Sequence, residues 1–405
     1  MLRTLSIITF LFFPLSGWGQ DTTNVGWGGW GYLAPSEDIA ELAPHTHLAL
    51  QQDPALEGKL STRIHELLKA AISSRPDLRL VSQNISYEDD TYVIFFAITA
   101  DYVEVTRVKD DAIAGYNLQV LVLVVNVSKD PGRQRIVYSV PVRIRWRQPL
   151  VGGDTLADHA NVFRKLLVEP LPEMPDVVAE WAQQAGRVKL REKSVWVRVE
   201  PTVLSDSAQA TLMRMSKTRS QKEVSEQIPL RTASILEGQV SLMADIPTVP
   251  FGANSATQKL TLTISDRRAA MRFSPPEPQY SMNVLVDELR LIETVVSPAP
   301  GVESKAMGFA ARVVFRMYEE DGVEGSADRT SLLELPLKSL VAVELADVTL
   351  EPPQEFARLL VQFSRELGEA FVEVDGEWFE RARSAQEKRK PKDVVGLIKQ
   401  ARQRL

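Results

Sequence analysis

Apolar positions along this chain fall into runs whose spacing predicts a mixed α+β protein. Over Pro54–Ser74, Leu56, Leu60, Ile64, Leu67, Leu68, Ala71 and Ile72 recur at helical spacing and make one apolar stripe, which Pro76 terminates. Leu78–Val81 reads as a short strand. Val93–Ile98, within Tyr92–Thr106, is apolar on both alternating faces, and so is Leu118–Val127, within Leu118–Ser128. Strands of that kind are covered on both sides. Gln134–Trp146 alternates: Ile136, Tyr138, Val140, Val142, Ile144 and Trp146 face one way, and Arg135, Ser139, Pro141, Arg143 and Arg145 the other. A proline cannot donate to a ladder, so Pro141 marks an edge or a bulge. Helices follow around Phe163–Val168 and over Asp176–Ala185.

The same pattern returns. Tyr280–Val296, Phe309–Tyr318 and Ser331–Val343 match the three strands in turn. The turn at Asp130-Pro131-Gly132 corresponds to Glu320-Asp321-Gly322, Val140-Pro141-Val142 to Leu335-Pro336-Leu337, and the helix at Phe163 to that at Phe356. These matches lie 190, 195 and 193 residues apart. A near-constant offset is what a tandem duplication leaves. The expected fold is α+β: two tandem copies of a helix–strand–three-stranded antiparallel meander–helix module, with a small β region between them and a helical C-terminal tail.

The remaining segments are less regular. Ser194–Glu200 alternates as a strand, Ser205–Ile228 is partly helical, Pro229–Pro250 carries a short strand near Gln239–Ala244, and Gln258–Phe273 forms a hairpin. Ser274-Pro275-Pro276-Glu277-Pro278 is a stiff boundary. The division is a leader over 1–19, a Gly/Trp-rich arm over 20–53, a first module over 54–188, an intermediate β-rich region over 189–274, a second module over 275–375 and a basic tail over 376–405. In the arm, Trp27, Trp30 and Tyr32 alternate with glycine. Such rings serve either as a contact surface for a partner or as packing against their own domain. In the tail, Lys388, Arg389 and Lys390 precede an amphipathic helix suited to a partner groove or an anionic membrane surface.

Composition narrows the function classes. The formal net charge is −6, so no global footprint for nucleic acid exists. There is no cysteine, which removes disulfides, thiolate metal sites and cysteine nucleophiles. Arg3, the apolar run Leu5–Leu15 and the small residues before Gly19 form a secretory leader, cleaved after Gly19 and too short for a stable span. An uncleaved anchor is the alternative. The mature chain is expected to be exported, periplasmic and soluble.

Catalytic constellations are sparse. His45-Thr46-His47 has a spacing that could seat a metal, but nothing else supports one, and no cofactor or metal is expected. No Gly-x-Ser-x-Gly elbow or phosphate-binding loop occurs. Asp101 with Glu104, and Asp287 with Glu293, lie on the repeated first strands, where an acid is more often a strand-edge solubility device than half of a hydrolytic pair.

The order of elements in each half resembles the amino-terminal domain of the Tol–Pal periplasmic protein and the periplasmic part of the curli secretion channel. That resemblance covers the order of elements and implies the fold alone. The secretory leader, the duplicated module and the sparse catalytic constellations together point to an exported, non-enzymatic protein that scaffolds or assists a cell-envelope assembly. The partners of such a protein would be envelope proteins, and the residues themselves, not the resemblance, nominate the contacts: Trp27, Trp30 and Tyr32, the strand edges marked by Pro141 and Pro336, and Lys388, Arg389 and Lys390 of the basic tail. A periplasmic protein binding a glycan or small ligand is the alternative, and a carboxylate-dependent hydrolase a third.

Overall fold

A computed structural model describes residues 22–81, 91–108, 111–127, 135–150, 153–188, 190, 195–215, 228–244, 246–250, 260–265, 269–299, 302–320, 330–344, 352–373, 377–378 and 391–404. The leader, the turns at 130–132 and 321–322, and Lys388–Lys390 lie outside these residues. The first sheet is built from β1 (Thr23–Tyr32), β2 (Leu78–Val81), β3 (Thr91–Val108), β4 (Asp111–Val127), β5 (Arg135–Pro149), β8 (Leu260–Ile264) and β9 (Ala269–Phe273). The second uses β6 (Val197–Val199), β7 (Val203–Leu204), β10 (Tyr280–Ala299), β11 (Val302–Glu319) and β12 (Thr330–Glu344). The helices are α1 (Ile39–Leu42), α2 (Pro44–Gln52), α3 (Ala55–Ser73), α4 (Leu156–Val168), α5 (Val177–Gly186), α6 (Asp206–Met215), α7 (Ile228–Ala244), α8 (Pro352–Glu373) and α9 (Pro391–Arg404). The class is α+β.

Strand order in the first sheet is β5-β4-β3-β1-β8-β9, with β2 also on β1; in the second it is β12-β11-β10-β6, with β7 also on β10. The helical stripe read from the sequence is the buried face of α3, where Leu56, Leu60, Ile64, Leu68 and Ile72 are fully enclosed. Thr155 and Asp158 close a reciprocal capping box that starts α4. One face of the first sheet packs Phe96, Val122, Val140 and Val142 under α3, α4 and α5. The opposite face packs Phe95, Leu121 and Leu123 with Trp196, Val249 and Phe273. The second sheet buries Met282, Val313, Phe315 and Leu335 beneath α6–α9.

The N-terminal segment is not an arm. β1 lies inside the first sheet, parallel to β3 and antiparallel to β8, and Trp27, Trp30 and Tyr32 are 3%, 1% and 4% exposed. Glycine makes this strand possible. A Cβ on Gly28 would overlap the Phe95 ring, and one on Gly31 would overlap the Thr263 carbonyl. Gly29 sits at φ 110°, where the register against β3 slips by one residue. Alternating large rings with glycine is therefore a packing device for a doubly covered strand.

Two further expectations change. Gln239–Ala244 is the end of helix α7, because Ala233, Leu236 and Val240 form a helical stripe into the second core; Gly238 hides that period from a local reading. The region 189–274 is not one unit. Its β6, β7, α6 and α7 serve the second sheet, while its β8–β9 hairpin joins the first.

The two meanders share their irregularities. Thr99 is skipped where β3 pairs with β4, and Asp287 where β10 pairs with β11. Val137 is skipped where β5 pairs with β4, and Leu332 where β12 pairs with β11. Pro141 lies opposite Leu121 and Pro336 opposite Val314, each on an outer strand of its meander. β1 meets β3 at Val25↔Tyr92 and Gly31↔Ala97, and β6–β7 meet β10 at Val197↔Tyr280 and Val203↔Leu285. Counted along the chain, the first-strand pairs are 188 residues apart, the third-strand pairs 195, and the parallel-strand pairs 172.

Candidate functional site

The outer face of β5 carries Arg143, Arg145 and Arg147 at alternate positions, so all three project to the side away from α4 and α5. Elements of the second half approach this face. α7 brings Arg231 over the Tyr102 ring, 4.1 Å from its centroid. Arg143 donates to the Tyr102 hydroxyl and, at 3.0 Å, to Asn117 Oδ1. Beyond this packed end, Glu104, Ile113, Gly115, Arg145, Arg147, Gln148 and Pro149 enclose a cleft of about 440 Å³ together with Arg358 of α8.

Three arginines line that cleft against one glutamate. Arg145 Nη2 lies 3.2 Å from Glu104 Oε2, with both side chains about one-third exposed. Arg358 Nη1 lies 2.5 Å from Glu355 Oε1 one turn earlier on α8. Arg147 forms no ion pair among the described residues. Burial, reinforced by the like charges of Arg145 and Arg358 and opposed by Glu104 and Glu355, holds its guanidinium below the usual arginine range. Burial likewise pushes the Glu355 carboxyl above the usual glutamate range, against the opposing pull of Arg358 and Arg147.

A carboxyl raised in the folded state favours folding once protonated. Its contribution is complete below the unfolded pKa and is lost as pH rises through the raised value. Glu355→Gln is therefore expected to flatten the dependence of the thermal midpoint on pH above the ordinary glutamate range, where the wild type loses this contribution as pH rises. An unchanged profile would show that Glu355 is not the group responsible.

A second polar cluster is buried under α2. Asp101 follows the β3 bulge and turns its carboxylate toward the helices, where it is 3% exposed. Oδ1 accepts from His45 N at 3.1 Å and from His45 Nδ1 at 2.6 Å, and Oδ2 accepts from Thr46 N at 2.7 Å. The carboxylate thus caps the first turn of α2 and holds the His45 ring. That ring stacks on Phe163 at 5.2 Å and meets the His159 ring at 5.9 Å, while His159 reaches the Tyr116 hydroxyl and Asp154.

Asp101 was a candidate hydrolytic acid in sequence, and here its oxygens are committed to a helix terminus and an imidazole. Asp287 pairs with Arg312 at 2.5 Å on the other sheet, so the two acids do not meet in one cleft. His45 and His47 are not joined either, since His47 Nε2 contacts Gln51 at 2.9 Å. Pro141 and Pro336 occupy matching outer-strand positions, whereas Trp27, Trp30 and Tyr32 are interior. The arginine cleft went unnoticed in sequence, although three alternating arginines on one strand face were visible there. Their partner, Arg358, lies more than two hundred residues away.

Among the described residues no helix is long and apolar enough to cross a membrane. No family model matches the chain, and no curated protein matches it. Among solved structures, a minor lipoprotein from Acinetobacter baumannii is 9% identical and covers 41% of this chain and 88% of its own, at a TM-score of 0.21. A likeness that loose bears on neither fold nor activity.

Proposed function

We propose that this chain is a non-enzymatic exported protein that scaffolds or assists a cell-envelope assembly through protein–protein contacts, and that its two halves are copies of one module. The matched bulges, prolines and parallel-strand registers support the duplication, because a bulge position is inherited with its sheet rather than dictated by composition. The leader pattern supports export, and the shared order of elements supports an envelope setting.

The contact reading rests on one comparison between the halves. In the first, the row Glu104–Gly115–Arg147 and the adjacent Arg145 face the second half's α8. The corresponding row in the second is Ile292–Gly308–Ala342, with Leu340 where Arg145 stands. Ile292 is 45% and Leu340 62% exposed, and both reach within 3.5 Å of a Cβ placed on Gly308, so they form one apolar patch. The face that looks across a cleft at α8 of the same chain in one copy exposes Ile292 and Leu340 in the other. Scattered single apolar residues are ordinary, but adjoining ones at such a position fit a partner surface.

A photo-crosslinker placed at position 340 of the exported protein is expected to yield a discrete protein adduct in the envelope, abolished by Ile292→Asp. Leu340→Glu alone should leave stability within about 0.5 kcal/mol. A folded protein that gives no adduct at 340 would sink this reading.

A further inference from the structure

We infer that the cleft between β5 and α8 binds a small organic anion through a phosphate or carboxylate group, clamped by Arg145 and Arg147 from the first half and Arg358 from the second. The proposal concerns a different surface from the Ile292–Leu340 patch and stands or falls apart from it.

Charge points to the ligand's sign. The chain is acidic overall, at −6, yet its cleft gathers three arginines around one glutamate. Like-charged guanidiniums brought together and partly desolvated repel one another, and a structure accepts that arrangement readily where an anion relieves it. Glu104 and Glu355 relieve it in part, through Arg145 and Arg358 respectively. Arg147 makes no direct ion pair among the described residues: it feels Glu104 and Glu355 only at a distance, against the like charges of Arg145 and Arg358.

Geometry points to the ligand's size and shape. Arg145 and Arg147 are two positions apart on one strand face, about 6.5–7 Å along the backbone, a separation that suits two forks gripping one oxyanion or adjacent ones. Gly115, between Glu104 and Arg147 in the strand register, adds no side chain to the floor. Ile113, 42% exposed, and Pro149 supply apolar wall, so the remainder of the ligand would lie against carbon rather than water. A cavity of about 440 Å³ holds a small phosphorylated or carboxylated molecule and not a folded protein.

Because the arginines come from both halves, such a ligand would bridge them. The other arginine groups of this face are already engaged: Arg143 by Tyr102 and Asn117, and Arg231 by the Tyr102 ring. They brace the wall of the cleft without lining it.

Isothermal titration of the full chain at low salt, with inorganic phosphate, pyrophosphate and citrate as probes, tests the proposal. Saturable binding is expected, weakened about tenfold by Arg147→Ala, the loss of one charge-assisted contact, and falling as salt rises. Glu104→Gln, which releases Arg145, should tighten binding. Phosphatidylglycerol vesicles form a separate arm: binding to vesicles with none to soluble probes would assign the same arginines to a lipid headgroup. No saturable binding in any arm, or equal binding by wild type and Arg147→Ala with unchanged thermal midpoints, would overturn the inference.

Discussion

Asp101→Ala is expected to destabilise the protein by about 3–5 kcal/mol, measured by denaturant unfolding. The substitution deletes few apolar contacts, so its effect comes from what it leaves behind. The backbone N–H groups of His45 and Thr46 and the His45 ring nitrogen all end on this one carboxylate, in a site where side-chain exposure is zero for Asp101 and 11% for His45. Water cannot replace the acceptor, and unpaired buried donors are costly. In the His45→Ala background the same substitution should cost less, because one of the stranded donors is gone. Equal costs in both backgrounds would show that the His45–Asp101 contact contributes nothing beyond the cap.

Gly31→Ala should destabilise by about 3 kcal/mol, a large effect for one methyl group. The added carbon would collide with the backbone carbonyl of Thr263 rather than with a side chain that could turn aside. Relief requires β8 to move off β1, which breaks the Gly31↔Ile264 pairing and strains the Ala34 contact with the Thr263 hydroxyl. Gly58→Ala, on the helix α3, is the control: nothing lies within 4 Å of a Cβ there, and alanine suits a helix interior. A Gly31→Ala protein as stable as the wild type would mean that β8 packs on β1 more loosely than its register implies.

What was legible in sequence is what periodicity encodes. The stripe of α3, the six meander strands, the β8–β9 hairpin and the helix at Phe356 could all be located, because each buries a face whose spacing repeats. The fate of β1 could not. Its glycines argue for looseness by propensity, and the reason for them is the close approach of Phe95 and Thr263, which lies elsewhere in the chain. Asp101 misled for a similar cause: a charged residue on a strand suggests a solvated edge, but the bulge at Thr99 turns it inward to the terminus of α2. The arginine cleft needs Arg358 to close it, so a window of local pattern sees only half of it.

The β8–β9 hairpin has a consequence for how the molecule can be made. Thr263 bonds to Ala34 across 229 residues of chain, so a nascent polypeptide emerging N-terminus first leaves the Gly31–Tyr32 end of β1, beyond its pairing with β2, without its β8 partner until the hairpin has been produced. During that interval the Gly31 row is an unpaired, apolar ribbon, the kind of exposed strand that recruits other chains. Contacts of such long separation also slow closure. A fragment ended before residue 260 would therefore remain permanently at the vulnerable stage, and the two halves, alike as they are in register, cannot be obtained by cutting the chain between them.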